Sequence, residues 1–382
     1  MGESEQPESK KAKIAEKEAV LTEIKSIISD EYCQPVQLIE VYVGHVGDPR
    51  HISKLISELN RCLPIPRLQH LKRVGRDGLI ILGEIEYLQE LLKLEKYSET
   101  SNEVNDLVKD TAHDATVRCS LTRYLKLQKV EDCLVDNLCS VIVKRQVARY
   151  QPKLRWQYEN AKSYWPCKFH PNKYSESLYM NTVFNSVERT YHLRMMSACL
   201  YLMRRFESKP FSMCVNPKLN RVAAIGVGKS EEHPIKHCPM VLIDNVAVSQ
   251  NGGAWSASYQ SSLPIESNWN LNGVDSEYMR VLNDKFSDVI FGAQPVKAVD
   301  VSVRDNISPH EDNLGKYGPY LCTGYDAYFT HEPCIMCAMA LTHSRIRRVF
   351  YHHATEKGAL GTLSKVHCVR GLNHHYEVFK IF

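Results

Sequence analysis

"EPCIMCAMALTHSRI", running from Glu332 to Ile346, decides how this chain is read. Two cysteines at i and i+3 open a run of apolar and small residues, so Cys334 and Cys337 share one side of a helix N-terminus. The helix dipole favours thiolates there, and thiolates are ligands for soft cations. The flanks set the topology. "YLCTGYDAYFT" (Tyr320–Thr330) reads as a strand before the helix, and "RVFYHHA" (Arg348–Ala354) as a strand after it. Strand, helix, strand is the repeating unit of an α/β fold. A lone C-x-x-C also suits redox chemistry or plain burial, so a metal reading needs a third ligand from elsewhere.

"HPIKHCPMVLID" (His233–Asp244) supplies it, as a loop entering a second helix. His237 stands beside the helix start, whereas His233, a competing ligand, belongs to the approach loop. His237, Cys334 and Cys337 suit tetrahedral Zn²⁺ with a fourth position left over. The C-terminal carboxylate of Phe382 is a candidate for that position, while Cys238 would diverge from His237 on a helix. Upstream, "VERTYHLRMMSACLYLMRR" (Val187–Arg205) is an amphipathic helix with Leu193, Met196, Leu200 and Met203 on one face. "CVNPKLNRVAAIGVGKS" (Cys214–Ser230) is a hairpin turning at "PKLN". Residues 249–316 are rich in Ser, Asn, Gly and Asp without clear periodicity, the mark of an insertion.

The first half has its own organisation. Residues 1–30 read as a polar tail followed by an amphipathic helix through Ile14, Val20, Leu21, Ile24, Ile27 and Ile28. "KKAK" (Lys10–Lys13) is a solvated charge run or a weak nuclear signal. "QPVQLIEVYVGHV" (Gln34–Val46) alternates as a strand, and "GDPRHISKLISEL" follows as a helix with Asp48 as N-cap and Pro49 at its first position. "LQHLKRV" and "LIILGEI" flank "GRDG", a hairpin signal, and "TVRCSLTRYLKLQ" adds a strand or helix. Residues 31–170 are thus expected to form an N-terminal α/β domain, and 171–382 a second. Lys144, Arg145, Arg149, Lys153 and Arg155 cluster without an acid among them, with Tyr150, Trp156, Tyr158, Tyr164 and Trp165 interleaved or close behind. Cations that neutralise phosphates beside rings that stack on bases suit RNA. A solvated linker whose aromatics pack on a neighbouring domain would share that composition.

A chain of 382 residues with 43% hydrophobic and 24% charged residues is globular, with two domains the default. A net charge of +4 permits a local basic face without arguing for one. The 13 cysteines form no regular framework and suit free thiols, pointing to cytoplasm or nucleus. No apolar run reaches the roughly 18–20 residues of a membrane span, so no membrane partner is expected.

With these motifs in place, a resemblance is clear. Zinc nucleobase deaminases carry H-x-E and P-C-x-x-C. "EPCIMCAMALTHSRIRRVFY", followed by "GALGT" (Gly358–Thr362) and "LNHHYEVF" (Leu372–Phe379), is similar to the tRNA adenosine deaminase branch. With its long N-terminal domain, "LQHLKRV" and "YLCTGYDAYFTHEPCIMCAMAL", the chain resembles the accessory subunit of the eukaryotic tRNA wobble-adenosine deaminase. The resemblance implies a three-layer αβα C-terminal domain, Zn²⁺ on His237, Cys334 and Cys337, a homologous catalytic partner in a heterodimer, and tRNA as substrate of the pair. The carboxylate that would shuttle protons belongs two residues after the ligand His. Here that place holds Pro239, where the accessory family usually has Val, so a noncatalytic subunit is expected. Glu231 and Glu232 precede both histidines and would point away from the metal. Two alternatives remain at this point: an active deaminase with a relocated carboxylate such as Glu266, and an RNA-binding scaffold with a structural zinc and no deaminase partner.

Overall fold

The computed structural model describes residues 21–92, 106–138, 141–255, 269–295 and 320–382. The chain divides into two compact units: Asp30–Met180, and a second made of the chain before Asp30 together with Asn181–Phe382. Residues 171–180, assigned above to the second domain, therefore go with the first. The expected N-terminal amphipathic helix is corrected as well. Ile24–Ser26 is a strand, β1, which buries Ile24 and pairs antiparallel with the last strand of the chain. Ile14 and Val20, which suggested the helix, lie outside the described residues, as does the "KKAK" run.

The smaller unit begins with a short helix, α1 (Asp30–Cys33), and strand β2 (Leu38–His45). Asp48 accepts a hydrogen bond from the Arg50 amide and starts a 3₁₀ turn at Pro49–His51, which runs into α2 (Ile52–Cys62). β3 (Leu79–Glu84), α3 (Ile85–Leu91), α4 (Asp106–Leu127), α5 (Asp132–Leu138), β4 (Ile142–Ala148), α6 (Arg155–Tyr164) and α7 (Lys173–Tyr179) complete it. The sheet order is β3-β2-β4, antiparallel throughout. Alternation along β2 divides the core: Tyr42 packs with Leu55, Leu121 and Leu134 on one face, Val41 and Val43 with Ala161 and Trp165 on the other. The "GRDG" hairpin shrinks to one bridge, Val74 to Ile80. Buried Arg73 ties the segment down instead, donating to Ile81 O, Asn60 Oδ1 and Leu63 O.

In the second unit, α8 (Ser186–Arg205) starts at a reciprocal cap between Asn185 and Glu188. Its buried residues are His192, Met195, Met196, Ala198, Cys199, Leu200 and Leu202, so of the expected face Met196 and Leu200 are buried while Leu193 and Met203 are half-buried. β5 (Phe211–Asn216) and β6 (Arg221–Val227) form the expected hairpin, followed by α9 (Cys238–Val248). Part of the supposed aperiodic insertion is regular: α10 (Ser276–Lys285), capped by Asp275, and β7 (Ile290–Phe291) at the sheet edge. Residues 256–268 and 296–316 of it lie outside the described residues. β8 (Asp326–His331), α11 (Ile335–His343), β9 (Arg348–His353) and β10 (Glu377–Ile381) close the chain.

The sheet order is β1-β10-β9-β8-β5-β6-β7, with β8, β9 and β10 parallel. The pleat of β8 sorts the layers. Tyr328 faces α8, where its hydroxyl meets His192 Nδ1 at 2.7 Å. Ala327 and Phe329 pack with Leu242 of α9 and Ala338 and Leu341 of α11 on the other side. Helix, sheet, helix is the expected three-layer arrangement. Where the chain passes between units, Ser26 N donates to Asn181 Oδ1 at 2.8 Å, so Ser26 and Asn181, beside the two crossings, are neighbours.

His192 carries a pH prediction. Burial, helped by Arg348 and Arg347, pushes its pKa from 6.5 down to about 3, so the folded chain holds it neutral while the unfolded chain protonates it. The stability it allows is full above pH 6.5 and falls as pH drops from there toward 3. Urea unfolding midpoints are expected to decline over that window, and His192→Gln to make the decline shallower.

Candidate metal centre

β6 and β8 lie on either side of β5 and point the same way, so their C-terminal ends open on one side of the sheet. Each is followed by a short loop and a helix. His237 is the N-cap residue of α9, Cys334 is the N-cap residue of α11, and Cys337 stands in the first turn of α11. α9 reaches this position because β6 carries Gly226, where a Cβ would lie 2.7 Å from the Leu242 amide nitrogen. Two helix N-termini thus converge, both favouring negative ligands.

His237 Nδ1 lies 3.5 Å from Cys334 Sγ and 3.6 Å from Cys337 Sγ, and the three ligand atoms fall within 4.8 Å of one another. Zn–S of about 2.3 Å and Zn–N of about 2.0–2.1 Å at a tetrahedral angle place N and S about 3.6 Å apart. The donor set therefore fits zinc in chemistry and spacing. Burial pushes the Cys337 thiol upward, with Cys334 adding to the effect.

The neighbours define what else the centre can do. A cavity of about 300 Å³ opens over it, lined by His237, Cys334, Cys337, Pro239, Glu231 and His331 among others. Pro239 is buried in the wall, in the first turn of α9, and brings no titratable atom. His233 is exposed, and its Nδ1 accepts from Ile235 N. The Cys238 thiol is turned to Ser212 Oγ at 3.0 Å, and burial raises its pKa to about 12. The Phe382 carbonyl oxygen accepts from Thr22 N, and Phe382 is not among the residues lining the cavity.

Two carboxylates line the cavity among the described residues, and the sequence reading misplaced one and missed the other. Glu231, expected to point away, stands on the rim with Lys209 Nζ 3.2 Å from Oε1. A hydrogen bond from its own amide and that lysine keep it ionised. Glu332 is buried and accepts from Leu360 N, Thr362 N and Thr362 Oγ1. It pins the "GALGT" loop against the start of α11, where Ala359 N donates to Pro333 O and Gly358 bridges Cys334. Gly358 admits the carboxylate, since a Cβ there would lie 2.2 Å from Glu332 Cδ. Glu266 lies outside the described residues.

The basic and aromatic segment does not form one patch. Lys144 and Arg145 are consecutive on the edge strand β4, opposite Tyr42 and Val41, so they leave the sheet on opposite faces. Arg149 lies over exposed Tyr150, 5.5 Å from the ring centroid. Arg155 is exposed and Lys153 half-buried. Trp156 is half-buried and stacks on Tyr179, and Trp165 is a core residue donating to Lys72 O.

Comparisons with known proteins agree with this geometry. The family described as tRNA-specific adenosine deaminase TAD3 N-terminal domain matches residues 39–131, and the cytidine and deoxycytidylate deaminase zinc-binding region matches 302–353. The chain is 30% identical over 382 residues to the probable inactive tRNA-specific adenosine deaminase-like protein 3 of Danio rerio, covering 98% of this chain and 96% of that protein. It belongs to that family. The Homo sapiens member is 30% identical, with 98% and 94% covered, and the Arabidopsis thaliana tRNA-specific adenosine deaminase TAD3 is 25% identical, with 90% and 91% covered. The vertebrate members are named as inactive, in keeping with noncatalytic status and with Pro239 in the cavity wall.

Two outcomes follow from the centre. Cys337→Ser or His237→Ala is expected to lower zinc affinity beyond the roughly 10–100-fold that losing an outer hydrogen-bond partner costs. Competition with a chelating dye measures this, and stripping the metal is expected to lower the thermal unfolding temperature. Glu332→Ala leaves three donors unpaired and is expected to cost about 3 kcal/mol or more. Amide exchange at Leu360 and Thr362 should accelerate, and unchanged protection there would remove Glu332 from its pinning role.

Proposed function

We propose that this chain is the noncatalytic, zinc-binding subunit of a heterodimeric tRNA adenosine deaminase that converts the wobble adenosine to inosine. The observation that carries the reading is a complete His-Cys-Cys set beside a cavity whose acid/base position holds a proline. In a zinc deaminase the metal activates water while a glutamate moves protons to the base and the leaving group. Pro239 does neither of the glutamate's tasks. Positioned acid/base catalysis is worth about 10²–10⁴-fold, and one residue here would serve several transfers.

What this chain's residues do instead is hold structure. His237, Cys334 and Cys337 tie α9 to α11 through a bound cation, and Glu332 locks the adjoining loop. The catalytic glutamate then belongs to a homologous partner subunit. The Asp30–Met180 unit contributes tRNA binding, with Arg149, Lys153 and Arg155 as phosphate contacts and Lys144 and Arg145 at a separate edge. The two Saccharomyces and Schizosaccharomyces relatives are named as subunits, which supports an assembly of this kind. Free cysteines throughout the described residues suit a reducing compartment, and the proposed location is cytoplasm and nucleus.

The test is inosine formation in an unmodified tRNA transcript at matched zinc. The chain alone is expected to give none, and the chain co-purified with a deaminase homologue carrying H-x-E is expected to give conversion. Turnover by the chain alone would overturn the reading. Glu231, the ionised carboxylate on the cavity rim, would then be the residue to replace.

A further inference from the structure

The metal cavity does not end at its rim. His331, in its wall, is in register with His353 on the next strand, and their rings lie 5.1 Å apart. His352 packs against His353 at 4.4 Å. One strand further out, Lys380 of β10 lies opposite Tyr351, two residues before His353, and its Nζ sits 4.6 Å from the exposed ring of Phe382. Beyond that, Lys25 of the edge strand β1 is directly opposite Lys380.

The pleat puts these groups, His352 excepted, on one face. Phe379 and Ile24 point to the α8 side or are buried there, so Lys380 and Lys25 take the other side, with Tyr351, His353 and His331. Lys209, on the cavity wall beside His331, ends the row on the inside, where it pairs with Glu231. Glu23, whose carbonyl accepts from Phe382 N, stands at the outer end.

Two features of this margin ask for an anion. Like charges directly opposite each other on paired strands are destabilising, yet neither Lys25 nor Lys380 forms an ion pair among the described residues. Two cations, Arg204 and Lys380, also act on His353, whose pKa is lowered to about 4 by burial first, then by the imidazoles of His352 and His331, then by those two. Lysines interleaved with accessible rings fit a polymer that alternates phosphates with planar bases, whereas an acidic peptide would leave the rings unused.

We propose that the sheet margin running through Lys25, Lys380, His353 and His331 is a docking strip for the backbone of an RNA strand, leading to the cavity above the metal centre. It rests on the tRNA-binding reading and adds a contact surface on the deaminase-like unit, separate from Arg149, Lys153 and Arg155. Lys25 and Lys380 meet phosphates, while the imidazoles donate hydrogen bonds or stack.

The experiment is a titration of the full chain with an unmodified tRNA transcript between roughly 50 and 200 mM salt, comparing wild type with the double variant Lys25→Ala, Lys380→Ala. Removing two phosphate contacts on a single strand is expected to reduce the slope of log affinity against log salt by about 1.4. Relief of the facing charges leaves the fold intact, which zinc content and the thermal midpoint check. Wild-type binding with an unchanged slope in the variant overturns the strip and leaves the subunit reading standing. If that variant instead loses a co-purifying protein, the margin is a protein interface and the RNA assignment is wrong. Absence of any tRNA binding by the wild type overturns both.

Discussion

The centre depends on one constraint, the meeting of two helix N-termini at the ends of two like-directed strands. β6 and β8 are separated by β5, which runs the other way, and this alone brings the loops after them to the same end of the sheet. α9 and α11 then start within ligand distance of each other. Neither helix could shift by a residue without breaking the set, because His237 and Cys334 are both cap residues, where the backbone is extended and the side chain turns inward. Small residues make the approach possible. Gly226 lets α9 lie close on β6, and Ala338 sits under the first turn of α11 in the shared core. A cation at the meeting point would join two neighbouring helices of one layer, which gives such a site a structural value independent of any reaction.

Much of this was legible in the chain itself. The i, i+3 cysteines, the strands around them and the loop–helix bearing His237 have short-range signals that survive folding. What escaped reading depended on partners far away. β1 is three residues long and is a strand because β10, at the other end of the chain, pairs with it. Apolar residues at 24, 27 and 28 satisfy a helical period equally well. Glu332 gave no sign of burial, since nothing in its spacing announces the three donors of the 360–362 loop. The glycine at 358 was the available hint.

The polar stretch after 249 misled for a compositional reason. Ser, Asn and Gly on both sides concealed α10, whose Asp275 cap and buried Met279 and Leu282 were readable at i and i+3. The basic segment misled for a geometric one. A run such as Lys144–Arg145 reads as one patch in linear order, but a strand sends successive side chains to opposite faces. Rings counted with it divide likewise: Tyr150 is exposed, whereas Trp165 belongs to the core.

The path of the chain through the two units carries a mechanical implication. Because β1 precedes the smaller unit and α8 follows it, that unit is inserted in the sequence of the larger fold. Ser26 and Asn181, beside the two crossings, are hydrogen-bonded to each other. Cutting the backbone near residue 180 would leave the smaller unit covalently joined to the 21–29 segment, which is held by the β1–β10 ladder and by hydrogen bonds at Thr22, Glu23, Ile27 and Ile28. Cutting near residue 30 would leave it covalently bound through α8. A cut at the first junction and a cut at the second therefore leave different covalent connections between the units.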